Sequence, residues 1–492
     1  MADFRMYIDG HWSDSESGAT YDAMNPALGM PFAQVAQGGR GDARRAIAAA
    51  NDARASWRKT SLWERCALCT RVAEVLERRK DEIADILCTE LGKPRFGEAK
   101  LEADEASVPW RVAAEQAKYF EAFTKPCADA DKRVLTFWRP RGVIAALTPW
   151  NFPAAIPGEY LPFAMAMGNT VVWAPAPTAA ATACKLMECI HEAGVPPGVV
   201  NLVTGPGNEV GDELVVNRDT HAIGMTGSPA TARIISSRAG VKPCLFELGG
   251  NGPIVILPDA DPIQIAAAIG FACFFAAGQV CSSGERILVA DNLKDEFVDA
   301  MVSEAGRWRY GDPWSKNVDM GPQNNLGVVA KVSDHVNDAK ARGAQIVFGG
   351  ARPDRPGFFF EPTVLVDFAI DSLINREETF GPVAPIASFK TEAEAWKIIN
   401  ACDLGLVSSV FTRDIERAWH WAEELDTGMT IVNDWTHFWE HHLPFGGLAS
   451  NRSGVGRIGG RHTLEFMSDL KTIAFHLGAP SRGAVPPFIP AP

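Results

Sequence analysis

The 492-residue sequence has no long run of Lys or Arg, and its formal net charge is -13. A nucleic-acid or anionic-membrane partner is therefore not expected, because either would need concentrated positive charge. It also lacks any apolar stretch of the ~20 residues that a bilayer core requires. The most apolar segment, residues 265–277, runs straight into Gly-Gln and reads as a buried core helix. The opening Met-Ala-Asp-Phe-Arg has no hydrophobic signal region, and ten cysteines are scattered through a long chain, so free thiols in a reducing cytoplasm are expected. Cys66 and Cys69 have CxxC spacing but sit in a stretch of helical periodicity, which predicts two small residues on a helix face rather than a redox or metal pair. No short-period repeat is present, and only the Pro- and Ala-rich tail from residue 478 reads as loosely ordered.

What is present is organised around residues 246–286. Glu247 lies in Phe-Glu-Leu-Gly-Gly-Asn and Cys281 in Gly-Gln-Val-Cys-Ser-Ser-Gly-Glu-Arg, with an uncharged apolar run between them. A thiol and a carboxylate, each beside glycines that permit close approach to the backbone, suggest a nucleophile and a water-activating base. The length allows about two to four domains.

Along the chain, Met6-Tyr-Ile-Asp-Gly-His-Trp predicts an opening hairpin turning at Asp9-Gly10. Residues 41–118 read as mostly helical, with Asp42, Ser61 and Asp81 as starts and Gly92-Lys-Pro as a stop. Residues 133–148 are strand-like. Helix and strand patterns then alternate: helix 160–167, strand 170–173, helix 179–193, strand 199–203. Such alternation predicts an open parallel sheet with helices on both faces. Two turns, Gly205-Pro-Gly207-Asn-Glu-Val-Gly211 and Thr226-Gly227-Ser228-Pro229, open helices and can face a pyrophosphate, although neither has GxGxxG spacing. Beyond Cys281, strands at 286–289, 344–348 and 362–366 and helices at 293–307 and 327–343 predict a second α/β unit.

Thr148-Pro-Trp-Asn-Phe-Pro, Gly168-Asn-Thr-Val-Val, Thr226-Gly-Ser, Glu247-Leu-Gly-Gly, Gly278-Gln-Val-Cys281, Glu377-Glu-Thr-Phe-Gly-Pro-Val and Pro444-Phe-Gly-Gly stand in one order along nearly the whole chain. Together they resemble the aldehyde dehydrogenase superfamily. The resemblance implies an α/β fold of two Rossmann-type open parallel-sheet domains plus a small β oligomerisation element. Its implied boundaries are 1–121 with 141–249 for the dinucleotide-binding domain, 250–449 for the catalytic domain, 122–140 with 465–478 for the oligomerisation element, and a tail at 479–492. It further implies a homodimer or homotetramer.

The same resemblance makes Cys281 the nucleophile, Asn151 a donor to the developing oxyanion, and Glu247 the base that hydrolyses the thioester. It places NAD, or NADP, against Thr148, Trp150, Gly207, Gly227, Ser228, Leu248, Glu378 and Phe380. Ala174 and Pro177 depart from it: a Lys and a Glu that would grip the adenosine ribose are both missing, which leaves the choice of NAD or NADP open. Asn251 replaces a usual Lys, Ala232 a Gly, and Tyr160 a frequent Lys near the substrate funnel.

Phe152, Tyr160, Trp110, His437, Trp439 and Phe445 are the expected substrate-pocket residues. The rings of Asp434-Trp-Thr-His-Phe-Trp-Glu-His-His-Leu suggest a bulky or aromatic aldehyde. The alternatives are a small acidic semialdehyde, or a non-catalytic protein retaining the fold. His437, Glu440, His441 and His442 have no cysteine at ligand spacing, and no metal is expected.

Overall fold

A computed structural model describes residues 2–448 and 450–478; the expected tail at 479–492 lies outside them. An eight-stranded sheet runs in the spatial order Gly454–Val455, Cys244–Leu248, Ala222–Gly227, Val143–Thr148, Thr170–Pro175, Val200–Leu202, Met6–Ile8, His11–Ser13. From Cys244–Leu248 to Val200–Leu202 every neighbouring pair is parallel. Alternate residues of one strand feed opposite cores: Ile144 and Ala146 pack with the helices Leu62–Arg78, Lys80–Leu91 and Ala180–Glu192, while Val143 and Ala145 pack with Arg40–Trp57. Being buried on both faces is what makes these strands continuous apolar runs.

A seven-stranded sheet repeats the logic in the order Gln345–Phe348, Thr363–Val366, Val383–Phe389, Arg286–Ala290, Pro253–Ile256, Val407–Phe411, Met429–Val432. Only Gln345–Phe348 is antiparallel to its neighbour. Ile254 and Ile256 face one core and Val255 the other. A separate three-stranded antiparallel sheet joins Ser468–His476, Lys132–Pro140 and Thr124–Lys125.

Local signals explain several boundaries. Asp9 and Gly10 both adopt positive φ, 51° and 81°, as a two-residue hairpin turn between Met6–Ile8 and His11–Ser13 requires. Ser61 caps Leu62–Arg78 in a reciprocal box with Glu64, and Gly92 at φ 70° ends Lys80–Leu91.

Other expectations change. Asp42 is not a start: the helix begins at Arg40, and the Asp42 carboxylate accepts the Gly39 N–H at 3.0 Å. The strand-like segment 133–148 is two strands in two sheets, broken at Gly142 with φ 137°. Residues 265–277 are not wholly buried, since Ala267 is exposed and Ile265, Phe271 and Phe275 are half-buried. Gly454–Val455, a segment assigned to no domain from the sequence, pairs antiparallel with Cys244–Leu248 in the first sheet. Cys66 and Cys69 are both buried on the inner face of their helix, and all ten cysteines are free.

Candidate active site

Glu247, Thr226 and Thr148 stand at or next to the carboxyl ends of three adjacent parallel strands, the edge where open α/β sheets place ligands. Beyond Glu247 the chain passes through Gly249 and Gly250. A Cβ on Gly250 would lie 2.1 Å from the Cys281 carbonyl oxygen, and one on Gly249 would lie 2.5 Å from the Glu378 carboxylate. The sequence suggested that these glycines admit substrate; the structure shows them admitting the protein's own nucleophile loop and Glu378. Cys281 itself follows a tight turn in which Ala276, Ala277 and Gly278 all have positive φ, at 54°, 53° and 73°. Cys281, Glu247, Asn151, Glu378 and Phe380 consequently line one cavity of about 210 Å³.

Burial controls the electrostatics of this cavity. It raises Glu247 from 4.5 to about 8, against the pull of the Cys281 thiol and the Thr226 hydroxyl. The buried Glu247 Oε1 has no hydrogen-bond partner. Burial, and then the charges of Glu247 and Glu378, push the Cys281 thiol well above its ordinary value, so the resting sulfur is protonated. Burial also raises Glu378 to about 7, although Lys331 opposes this. Its Oε1 accepts the Gly250 N–H at 2.9 Å. The Asn151 side-chain NH2 donates to the Gln279 carbonyl, two residues before Cys281, at 3.1 Å.

The cavity shares Pro149, Trp150 and Thr226–Ser228 with a groove of about 830 Å³. Thr148, Ala174, Pro177 and Gly207 line that groove, with Arg40 and Arg238 at its sides. Ser228 caps the helix Pro229–Arg238 through the Thr231 N–H, and Gly207–Gly211 forms a single π-helical turn where an ordinary helix start was expected. Leu248 lines the inner cavity, where Trp150 and Phe380 meet edge to face at 5.5 Å.

The expected substrate-pocket residues divide. Phe152, Phe275 and His437 form a run of rings, with centroid separations of 6.3 and 5.9 Å. Trp439, His441 and Phe445 form a second cluster, in which burial works against the His441 charge but bonds to Glu105 and Glu159 raise it to about 10. Tyr160 is fully buried and does not face the funnel: its hydroxyl bonds the Thr226 hydroxyl at 2.7 Å, behind Glu247. A Cβ at Gly224 would meet the Tyr160 ring at 2.5 Å, so that glycine makes room for it. Trp110 belongs to the helical core with Trp173 and Leu161, because its helix turns it inward.

Sequence reasoning missed three supports. Glu285 accepts the Thr379 and Phe380 N–H groups, the latter at 2.7 Å, and so holds Phe380 at a φ of 59°. Lys331 lines the cavity beside Glu378. Asn251 donates to the carbonyls of Asn375 and Glu377, both at 3.2 Å. The signal available for Glu285 was a carboxylate closing the uncharged stretch 262–284, beside Arg286.

Two parallel-sheet units meeting at a cavity that holds a thiol and a carboxylate, beside a groove of the first unit, define a class of α/β oxidoreductase. The family model described as "Aldehyde dehydrogenase family" matches residues 12–473. The chain is 36% identical over 468 residues to glutarate-semialdehyde dehydrogenase of Pseudomonas putida, covering 94% of this chain and 96% of that one. It is 35% identical over 473 residues to an NADP-dependent succinate-semialdehyde dehydrogenase of Escherichia coli, covering 96% and 97%. A crystal structure of betaine aldehyde dehydrogenase from Staphylococcus aureus in complex with NAD+ superposes with a TM-score of 0.94 at 31% identity, over 98% of this chain and 96% of that one. The chain belongs to the aldehyde dehydrogenase family.

Proposed function

We propose that this protein oxidises a small semialdehyde to its carboxylic acid, with NAD or NADP as hydride acceptor and Cys281 as the covalent nucleophile. The observation that carries this reading is the shared cavity of Cys281 and Glu247, which shares Trp150 and Thr226–Ser228 with a groove of about 830 Å³. The fit of that groove to the cofactor rests on its volume, its flanking Arg40 and Arg238, and the adjoining cavity in which the Phe380 ring and Cys281 lie. When bound, the dinucleotide supplies a hydride acceptor. Glu378 and Phe380 would hold its inner end, and Ser228 and Gly207 its middle.

The chain's own residues do the rest. The Cys281 thiol gives up its proton to solvent and the sulfur adds to the aldehyde carbon; Glu247 stays free for the later hydrolysis. The Asn151 amide, with the Cys281 backbone N–H, supports the oxygen that becomes negative. Once hydride has left, the acyl group remains on the sulfur as a thioester. Glu247 then takes a proton from water, the water oxygen adds to the acyl carbon, and the carbon–sulfur bond breaks to return the thiol and the acid.

A small substrate is favoured over the bulky or aromatic one suggested by the rings at 435–445. Those rings are taken up by packing: Trp435 lies against Phe271 at 4.5 Å and His437 at 5.5 Å, and Trp439 against Phe445 at 5.1 Å. The glutarate- and succinate-semialdehyde dehydrogenases among the relatives support the same choice. The intact cavity speaks against a non-catalytic role. We assign subunit pairing to the sheet of Lys132–Pro140 and Ser468–His476, whose Leu135, Phe137, Leu470 and Phe475 are exposed.

A screen of succinate and glutarate semialdehydes against benzaldehyde, each with NAD and NADP, tests the reading. The semialdehydes should give the higher kcat/KM. A preference for benzaldehyde would reverse the substrate assignment, and no reduction of either cofactor with any aldehyde would remove the enzymatic one.

A further inference from the structure

The mechanism leaves unused a buried ion cluster directly behind Asn151. Lys93 is 5% exposed, and its Nζ lies 2.8 Å from Glu98 Oε1 and 2.8 Å from Glu102 Oε2. The local sequence builds this cluster. Gly92 ends the helix Lys80–Leu91 at positive φ, packed so close to Pro322 that a Cβ there would lie 2.4 Å from its ring, and Lys93 follows into the interior. Glu98 and Glu102 are one turn apart on the helix Glu98–Glu105 and so share a face. Taking three charges out of water is costly, and their mutual attraction seldom repays it.

What the cluster grips is the loop that carries Asn151. Glu102 Oε1 accepts the Ala154 N–H at 2.8 Å. Lys93 Nζ stands 3.9 Å from the centroid of the Phe152 ring, a cation–π contact. Lys93, Glu98, Asn151 and Gln279 line one small cavity, and it is the Gln279 carbonyl that receives the Asn151 amide.

We propose that Lys93 and Glu102 are positioning residues for the oxyanion donor, clamping the Asn151 loop at Phe152 and Ala154 against the nucleophile loop. This inference rests on the role given to Asn151 above. Neither residue touches the reacting atoms; both act by fixing where the Asn151 amide points. A drift of about 1 Å in such a donor can cost about 100-fold in rate.

The test is a double-mutant cycle with Lys93→Met and Glu102→Gln, each made alone and together with Asn151→Ala. Glu102→Gln keeps an acceptor for the Ala154 N–H but removes the charge that holds Lys93 against Phe152, and it carries the test if Lys93→Met fails to fold. For each folded variant, kcat and the cofactor Kd by tryptophan fluorescence are measured. In the native background kcat should fall by about 10- to 100-fold with cofactor Kd unchanged; in the Asn151→Ala background the same substitution should change kcat less than about twofold, because residues acting through one group are not additive. Equal losses in both backgrounds, or no loss in the native one, would overturn the clamp. An Asn151→Ala single variant with undiminished kcat would instead overturn the oxyanion reading itself, and the clamp with it.

Discussion

Replacing Glu247 with Gln removes the one ionisable group of the proposed base while keeping its volume. Burial holds this carboxyl at about 8 rather than 4.5. At pH 7 about one molecule in ten carries the base form and at pH 9 about nine in ten, so deacylation should rise nearly tenfold between them. The same group has a thermodynamic signature. A carboxyl raised in the folded state binds its proton more tightly there than when unfolded, so stability falls as pH climbs from 4.5 to about 8 and levels off above. At about 1.4 kcal/mol per pH unit, the full loss is about 5 kcal/mol. Glu247→Gln should therefore be more stable than the native protein, with a gain absent at pH 4 and largest near pH 9. Chemical denaturation at pH 4, 7 and 9, run beside stopped-flow detection of reduced nicotinamide, reads both effects. The variant should give one burst per site and then stall. A stability difference that does not grow with pH would refute the buried-carboxyl argument, and unaltered turnover would refute the base role.

Three further perturbations are informative. Ala174→Lys with Pro177→Glu should tighten NAD and leave NADP weaker than NAD, because a carboxylate there accepts ribose hydroxyls and repels a 2'-phosphate; unchanged dissociation constants would show that the adenosine is held elsewhere. Tyr160→Phe removes the partner of the Thr226 hydroxyl, a bond worth about 1 kcal/mol; Glu247 should then become harder to ionise and the acid limb of the pH–rate profile should move upward, whereas an unmoved limb would leave Tyr160 purely structural. Glu285→Ala strands the Thr379 and Phe380 N–H groups, at about 1–3 kcal/mol each, and should weaken cofactor binding; native affinity would mean that Phe380 keeps its conformation unaided.

Much of this arrangement was legible in the sequence because its signals are local. The Asp9-Gly10 turn, the Ser61–Glu64 cap and the doubly buried strands each follow from a few neighbouring residues. The thiol and carboxylate were legible because each stands beside glycines, with the uncharged run 262–280 leading up to Cys281. The errors arose where a ring or helix face had two possible environments. Trp110 and Tyr160 are aromatic residues near the cleft in sequence, but one joins the core and the other turns behind Glu247 to bond Thr226. The rings at 435–445 suggested a large apolar pocket, yet they satisfy one another. Nothing local revealed that Lys93 is buried, since Gly-Lys-Pro after a helix reads as an exposed stop until Glu98 and Glu102 are seen to close over it.

Peptide-level mass spectrometry of the Glu247→Gln variant, after incubation with a semialdehyde and NAD or NADP, tests the covalent step most directly. An acyl group attached to the Cys281 sulfur, in amount equal to the nicotinamide reduced, is the predicted result. Reduced nicotinamide without that adduct, or with the acyl group on another of the ten cysteines, would contradict it.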